Sequence, residues 1–521
     1  MTIVNYLGMT SPAGETLAEA AGLAVGSHSY LLLLAILFPF AFALALMCSG
    51  RLADSMVKAL GWIGFLLPAA ISLYLASVYV QGGYNGGYAF TYIAELGLER
   101  FGIRLHLALN GISVALYVMA GLVGLAAGSY AISSDVDRLR PYLVLLLIMQ
   151  SGLMGVFSSV DIFFFYFFHE FALIPTFVLI AVWGRAGRRA VAIEVTIYLT
   201  LGAMVTLAGL IFLYLESGVT YFNMVALRSA LVEQEVQGWI FGLLLVGFGI
   251  LVSLFPFHTW APRAYATAPA PAAMLHAGVL KKFGLYGLIQ IAYPVLSEGA
   301  ATWAPILIWL ALGNVVIIGL VTMAQRDLKL MLGNASVMHM GYAFLGLYAY
   351  SVAGTGAAVM MLFAHGISVA LLFLLADVVE RRTGSMDFDD LGGLGQKAPV
   401  LMGFFVAAIL ASIGLPGMAN FWGELGIFVA LWKTSTPWVL IVALSGILIS
   451  AIYGLRAVGS VFFGEQRGVS EATDLRSGEK LSALLLIVVL FVVGIWPRAI
   501  SDVVDQSAQT VVAESVITES K

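Results

Sequence analysis

The sequence predicts an all-α, polytopic membrane protein with about fourteen transmembrane helices. Three observations carry that prediction. Of 521 residues, 61% are hydrophobic and 10% charged, with a mean hydropathy of +0.99. Soluble chains carry about 25% charge. Apolar runs near the 20 residues needed to span a bilayer recur along the chain. The cationic residues are distributed asymmetrically between alternate loops, as cytoplasmic and outer loops are. A lone cysteine, Cys48, excludes internal disulfides and clusters held by several thiolates. No Lys or Arg precedes His28, so the amino terminus lacks the basic region of a signal peptide, and the first long run is expected to stay as a helix.

The spans are read at Tyr30–Cys48, Ala59–Val80, Asn110–Tyr130, Pro141–Val160, Ile162–Trp183, Ala190–Leu215, Trp239–Phe255, Ala272–Tyr293, Trp303–Ala324, Ala335–Ser351, Ala353–Val378, Pro399–Trp432, Trp438–Phe463 and Leu481–Trp496. A short amphipathic piece is expected at Thr91–Phe101, and a polar, interfacial helix at Tyr221–Val236. Loops after odd-numbered spans hold 16 of the 25 Lys and Arg residues, from Arg51 to Lys480, against 6 on the other side, which include Arg100, Arg104, Arg228 and Lys521. By the positive-inside rule, both termini then face away from the cytoplasm.

Spans 7 and 12 are broken. Ser253-Leu-Phe-Pro256-Phe-His258-Thr-Trp-Ala-Pro262 ends the first, and Ser412-Ile-Gly414-Leu-Pro416-Gly417 interrupts the second. Proline removes a backbone donor and clashes with the preceding turn. Broken backbone at membrane depth persists only where protein or water satisfies it. The breaks lie five spans apart, an odd offset that inverts the second unit. This predicts inverted five-helix repeats. The chain divides into residues 1–140 (spans 1–3), 141–295 (spans 4–8), 296–465 (spans 9–13) and 466–521 (span 14 and tail).

Within these spans ionisable groups are scarce. Glu170 sits on span 5, Lys281 and Lys282 in span 8, and Glu424 beyond the break of span 12. His258 marks the span 7 break, His339 lies on span 10 and His365 on span 11. A charge at the bilayer centre costs roughly 2.5–3.5 kcal/mol on insertion scales, so each is a candidate functional residue. Burial disfavours the charged form of lysines and carboxylates, and histidine titrates near neutrality unaided. A file of such groups joined by water is what proton transfer requires. The plainer readings are static ion pairs for Glu170, Lys282 and Glu424, and satisfied hydrogen-bonding roles for the histidines. Arg456 is expected to snorkel or pair near the surface, and His276 to be structural. Asp387, Asp389 and Asp390 read as a solvated loop face. No metal-ligand spacing, Walker loop or dinucleotide fingerprint occurs, and nothing suggests nucleic acid.

At these residues a family becomes recognisable. Phe167-Phe-His-Glu170-Phe-Ala-Leu-Ile-Pro175 resembles the span 5 glutamate motif of the antiporter-like subunits of respiratory complex I. Pro256-Phe-His258-Thr-Trp260-Ala-Pro262, Ala268-Pro269 and Ala277-Gly-Val-Leu-Lys-Lys282 resemble its span 7–8 signature. Arg326-Asp-Leu-Lys329 with Ser336-Val-Met-His339-Met-Gly341, then Ala364-His365-Gly366 and Asn420-Phe-Trp-Gly-Glu424, resemble spans 9–12. Fourteen helices without a long lateral C-terminal helix are similar to the M type, subunit 4 in mitochondria.

The resemblance implies a proton-translocating membrane-arm subunit of NADH:quinone oxidoreductase. It sits beside L- and N-type chains in a bacterial inner membrane and carries no cofactor in this chain. It makes Glu170 the span 5 glutamate, Lys282 the central lysine and Glu424 the exit-side glutamate, with His258, His339 and His365 on the connecting axis. Two alternatives follow from the same ancestry: a cation/proton antiporter or membrane-bound hydrogenase subunit, and a non-pumping scaffold. The scaffold is suggested by a departure. The family's span 7 lysine, partner to the glutamate, is Leu251 here, and Arg263 replaces an acidic residue. Lys281, at a position usually apolar, is the expected substitute partner of Glu170, facing span 7 while Lys282 faces span 10.

Overall fold

The computed structural model describes residues 28–50, 52–434, 437–467 and 472–519. Residues 1–27 and the counted loop charges Arg51 and Lys521 lie outside them. The chain opens with α1 (Tyr30–Cys48) and α2 (Asp54–Gly82), then a hairpin of β1 (Ala89–Ala94) and β2 (Leu105–Leu109). Next come α3 (Gly111–Ser133), α4 (Leu139–Ser158), α5 (Ile162–Trp183), α6 (Arg188–Ser217) and α7 (Gln234–Val252). The segment we call α8 runs from Ala270–Leu275 to Tyr293–Val295. Then follow α9 (Ser297–Ala324), α10 (Leu328–Tyr348) and α11 (Val352–Thr383). The chain closes with α12 (Pro399–Ser412), α13 (Ala419–Thr434), α14 (Pro437–Phe462), α15 (Ser477–Ile495) and α16 (Arg498–Glu519).

Eleven of the described helices are long and apolar enough to cross a membrane. The counterparts of spans 8, 10 and 12 are not among them. α8 is segmented, α10 carries polar residues, and α12 and α13 are the halves of the broken span. Both breaks are present: α7 stops at Val252 before a short helix at Trp260–Thr267, and α12 stops at Ser412 before α13 resumes at Ala419. Helix α11 is the axle of the bundle, its most apolar window being wholly buried, whereas α1, α2, α6 and α14 keep outward apolar faces.

Close packing follows from small residues. A Cβ on Gly152 or Gly155 of α4 would overlap Ala172 or Phe168 of α5, so those two helices touch at backbone distance. α5 starts where it does because Asp161 caps it, accepting from Phe163 N at 2.9 Å and Phe164 N at 3.2 Å.

The amphipathic piece at Thr91–Phe101 takes the form of β1 and a three-residue turn, and β1 pairs antiparallel with β2, Tyr92 opposite Leu107 and Ala94 opposite Leu105. The run Phe-Thr-Tyr-Ile is β-branched and aromatic, which favours a strand. The all-α class therefore holds apart from this hairpin. The helix expected over Tyr221–Val236 shrinks to Met224–Arg228, capped by Asn223. α10 starts seven residues before the predicted Ala335, because Asp327 caps it by accepting from Leu330 N at 2.9 Å. The predicted tail contains α16, which packs back on the bundle through Ser507, whose hydroxyl donates to Gly86 O at 2.8 Å and accepts from Gly111 N at 2.7 Å.

Candidate functional site

The middle of α8 is where the backbone departs from regular α geometry. Two π-helical turns, His276–Leu280 and Leu288–Ala292, flank the segment Lys282–Gly287. Lys281 N reaches back five residues to His276 O at 3.1 Å. Such bulges reorient the side chains around them and recur at functional sites. Here they set two consecutive lysines, both buried, into different surroundings.

The Lys281 ammonium donates to the Ser336 hydroxyl at 3.0 Å and to Ser336 O at 3.2 Å, and lies 5.4 Å from the Tyr265 ring centre. Ser336 Oγ is 3.0 Å from His365 Nε2 on α11. The His365 and His339 rings stand 5.4 Å apart, and His339 Nδ1 is held by Ala335 O at 2.8 Å. Lys282 turns elsewhere, donating to Ala277 O at 2.6 Å within its own helix. The expected facing of the two lysines is therefore corrected: Lys281 serves α10, not α7, and it is not the partner of Glu170.

Beyond His365, Ser368 donates to the His365 carbonyl at 3.3 Å, and Asn420 Nδ2 donates to Ser368 Oγ at 3.3 Å. Asn420 opens α13, and Glu424 follows one turn later, 4% exposed. A Cβ on Gly414, in the break, would overlap the Glu424 carboxylate, so the broken backbone cradles that group. Gly414 has φ +82°, the left-handed region that suits glycine. The Tyr342 and Tyr453 hydroxyls lie within electrostatic reach of Glu424.

Several buried polar atoms along this file have no protein partner among the described residues: His339 Nε2, His365 Nδ1, Asn420 Oδ1, Tyr265 OH and Tyr453 OH. Buried polar atoms need hydrogen bonds, and where protein supplies none, water does.

Glu170 stands apart. Its side chain is 32% exposed on α5, with Oε1 3.4 Å from Nδ1 of the neighbouring His169, whose ring stacks 3.9 Å from Phe283 of α8. Tyr166, one turn earlier, lies close to its carboxylate. Leu251 is buried, leaving α7 without a cation at the position of the family lysine. Arg263 points outward to Glu194 on α6 at 2.6 Å. His258 is not brought into the file either. It is half-buried and stacks on Phe255 at 5.7 Å, because the break turns it towards the helix end. Arg456 does hold surface carbonyls, Met323 O at 2.5 Å and Gln325 O at 2.7 Å, closing the end of α9. His276 packs between Trp260 and Tyr265.

One cluster escaped the sequence reading. Lys329 Nζ lies 2.9 Å from Asp377 and 2.6 Å from Glu380. Asp377 also takes Arg381 at 2.8 Å and the Tyr130 hydroxyl at 2.7 Å. Arg185 bridges Glu380 at 2.7 Å and Asp327 at 3.1 Å. Lys329, Asp377, Glu380, Arg381 and Arg185 line a cavity of about 320 Å³ with Tyr142 and Thr267. The i, i+3, i+4 spacing of Asp377, Glu380 and Arg381 at the end of an apolar span was the available signal. No cluster of three or more His, Cys, Asp or Glu that could hold a metal occurs among the described residues.

The model of the NADH:quinone oxidoreductase/Mrp antiporter transmembrane family matches residues 159–450, which span the lysines, the histidines and Glu424. This chain belongs to that family. Within it, the chain is 32% identical to NAD(P)H-quinone oxidoreductase chain 4 1 of Synechococcus sp., over 80% of this chain and 81% of that one. It is 28% identical to NADH-quinone oxidoreductase subunit M of Rickettsia felis, over 86% and 91%. Its fold is similar to a chain of respiratory complex I from Thermus thermophilus with bound NADH, at TM-score 0.85 and 29% identity, covering 93% of this chain and 99% of that one.

Proposed function

We propose that this chain is a proton-translocating membrane-arm subunit of an NADH:quinone oxidoreductase, driven by electron transfer on partner chains. Its family and its subunit M and chain 4 relatives support the assignment. The observation that carries the mechanism is the contact Lys281–Ser336–His365, a hydrogen-bonded connection between α8, α10 and α11 at the centre of the bundle. A serine hydroxyl accepts from an ammonium while donating to an imidazole nitrogen. A proton leaving Lys281 is replaced on the hydroxyl as the hydroxyl proton passes to His365 Nε2. This leaves neutral lysine, intact serine and imidazolium. It requires the neutral His365 tautomer protonated at Nδ1. Lys282 supplies a second exchangeable site beside it, and protons leave past His339 towards Glu424 by way of water, with Asn420 orienting that water and not itself exchanging a proton.

In this reading the Arg- and Lys-rich end faces the cytoplasm, both termini face away, and L- and N-type chains flank the subunit. The spans form the two inverted units 141–295 and 296–465. Glu170, half-open on α5, receives charge from the neighbouring chain rather than from a lysine of its own. The scaffold reading retains one point in its favour, the absence of a cation at Leu251. Redox-driven proton uptake by vesicles holding the complex separates the two. Lys282→Ala with normal assembly should stop the contribution of this subunit, and an unchanged proton yield would favour the scaffold.

A further inference from the structure

Lys282, Tyr286 and Gln290 follow one another at one-turn spacing on α8, and all three are buried. Eight residues at about 1.5 Å each carry this stripe about 12 Å from the central lysine towards the hairpin end of the bundle. Its first members can relay protons. The Tyr286 hydroxyl donates to Phe157 O at 3.5 Å and lies near the Ser113 and Gln290 side chains, and the Ser113 hydroxyl donates to Asn110 Oδ1 at 2.8 Å.

There the chemistry changes. Gln290 and Asn110 form a reciprocal amide pair, Asn110 Nδ2 donating to Gln290 Oε1 at 3.2 Å and Gln290 Nε2 to Asn110 Oδ1 at 3.0 Å. The Arg228 guanidinium donates to Gln290 O from Nε at 3.3 Å and from Nη2 at 3.2 Å, and to Gln290 Oε1. It also donates to the Tyr88 hydroxyl at 3.3 Å. Arg228, Asn110, Gln290 and Tyr88 are all buried. The capping box of α3 and the Ser507 contact of α16 close the layer from outside.

We propose that this layer of Arg228, Gln290 and Asn110 is a proton plug. Resting on the translocation reading above, it denies Lys282 a direct exit along its own helix. A relay needs groups that accept one proton while releasing another. Carboxamides do not do this near neutral pH, and a guanidinium in a protein keeps its proton. The fixed positive charge in a low-dielectric layer further repels an arriving proton. The route left to the lysines is sideways, through Ser336 and His365.

The test is passive and needs no electron transfer, so it stands or fails apart from the pumping assay. A pH gradient is imposed on vesicles holding the assembled complex without substrate. Gln290→Glu puts a proton-exchanging group of the same size into the layer, and the gradient should collapse several-fold faster. Gln290→Met, similar in size and inert, should stay as tight as the native complex. Adding Lys282→Ala to Gln290→Glu should restore tightness. An unchanged gradient in Gln290→Glu, an equal leak in Gln290→Met, or a leak indifferent to Lys282→Ala would each overturn the plug. If Gln290→Glu does not assemble, Asn110→Asp places the carboxylate on the other amide, with the same outcomes read.

Discussion

Lys281 on α8 and Ser336 on α10 are joined at 3.0 Å between ammonium and hydroxyl, and this contact links the two halves of the chain. Among the described residues, nothing else in the buried file couples a lysine directly to a group that touches a histidine on a third helix. In the proposed path Ser336 is a relay atom, and its loss should be felt in proton movement before it is felt in stability.

Ser336→Ala should lower redox-driven proton flux through this subunit by about 100-fold, the lower end for one positioned proton-transfer group. Ser336→Thr keeps the hydroxyl and should retain most of the flux. The measurement is proton yield per electron in vesicles, at matched assembly. Equal flux in Ser336→Ala and the native complex would remove Ser336 from the path.

Gly414→Ala should act on Glu424. The new Cβ overlaps the carboxylate and must displace it, and the left-handed backbone adds about 1–2 kcal/mol for a non-glycine residue. Proton yield should fall towards that of Glu424→Gln while the complex still assembles. If Gly414→Ala pumps normally, the position of Glu424 against the break is incidental.

How far the sequence foretold these contacts varies with the kind of signal. The long apolar runs and the proline-glycine breaks were legible because span length and backbone donors are local properties. The helices stop at Val252 and Ser412, where the two quoted breaks begin, although span 7 reads from sequence as running on to Phe255. Lys281 and Lys282 were legible as buried ionisable groups but not in their directions. An ideal 100° step between neighbours ignores the π turn at His276–Leu280, which re-aims both. Ser336 was invisible as chemistry, since an uncharged hydroxyl in a span carries no cost that marks it. Lys329 reads as a loop charge and a member of the span 9–10 motif, and Asp377 as nothing at all, because their meaning lies in a pairing 48 residues apart. His258 looked like a member of the file because it is a titratable group at the break of a span, yet the break leaves it half-buried against Phe255.

Lys329→Ala should destabilise the chain by about 3 kcal/mol, the lower end for breaking a buried ion pair. The lysine side chain is 3% exposed between two carboxylates, and its removal leaves Asp377 and Glu380 short of one cation. Arg381 and Arg185 remain to each, which keeps the loss from being larger. A lowered thermal inactivation midpoint of the solubilised complex measures it. An unshifted midpoint would mean that water already screens the cluster through its cavity.

At the other end, outside the membrane-spanning helices, Asp161 and His106 line a cavity of about 300 Å³ with Arg104, and their protonation should pull stability in opposite directions. Burial raises the Asp161 carboxyl to about 7, against the backbone N–H groups of Arg104, Phe164 and Phe163 that favour its charge. Burial lowers the His106 imidazole to about 4, where Asn223 Nδ2 holds its Nδ1 at 2.8 Å. Between about pH 4 and 6.5 the folded Asp161 keeps a proton that the unfolded chain releases, so its contribution falls as pH rises and is lost through about 7. In the same window unfolded His106 takes up a proton that the folded ring refuses, so its contribution grows as pH rises. Each slope approaches about 1.4 kcal/mol per pH unit at most, and the two nearly cancel. Asp161→Asn should expose the histidine slope, leaving a complex that loses stability as pH drops from 6.5 towards 4. His106→Gln should expose the opposite slope, with stability lost as pH climbs from 4 towards 7. Thermal midpoints across pH 4 to 7 read both variants directly, and parallel profiles in the two would mean that neither group carries its shifted proton.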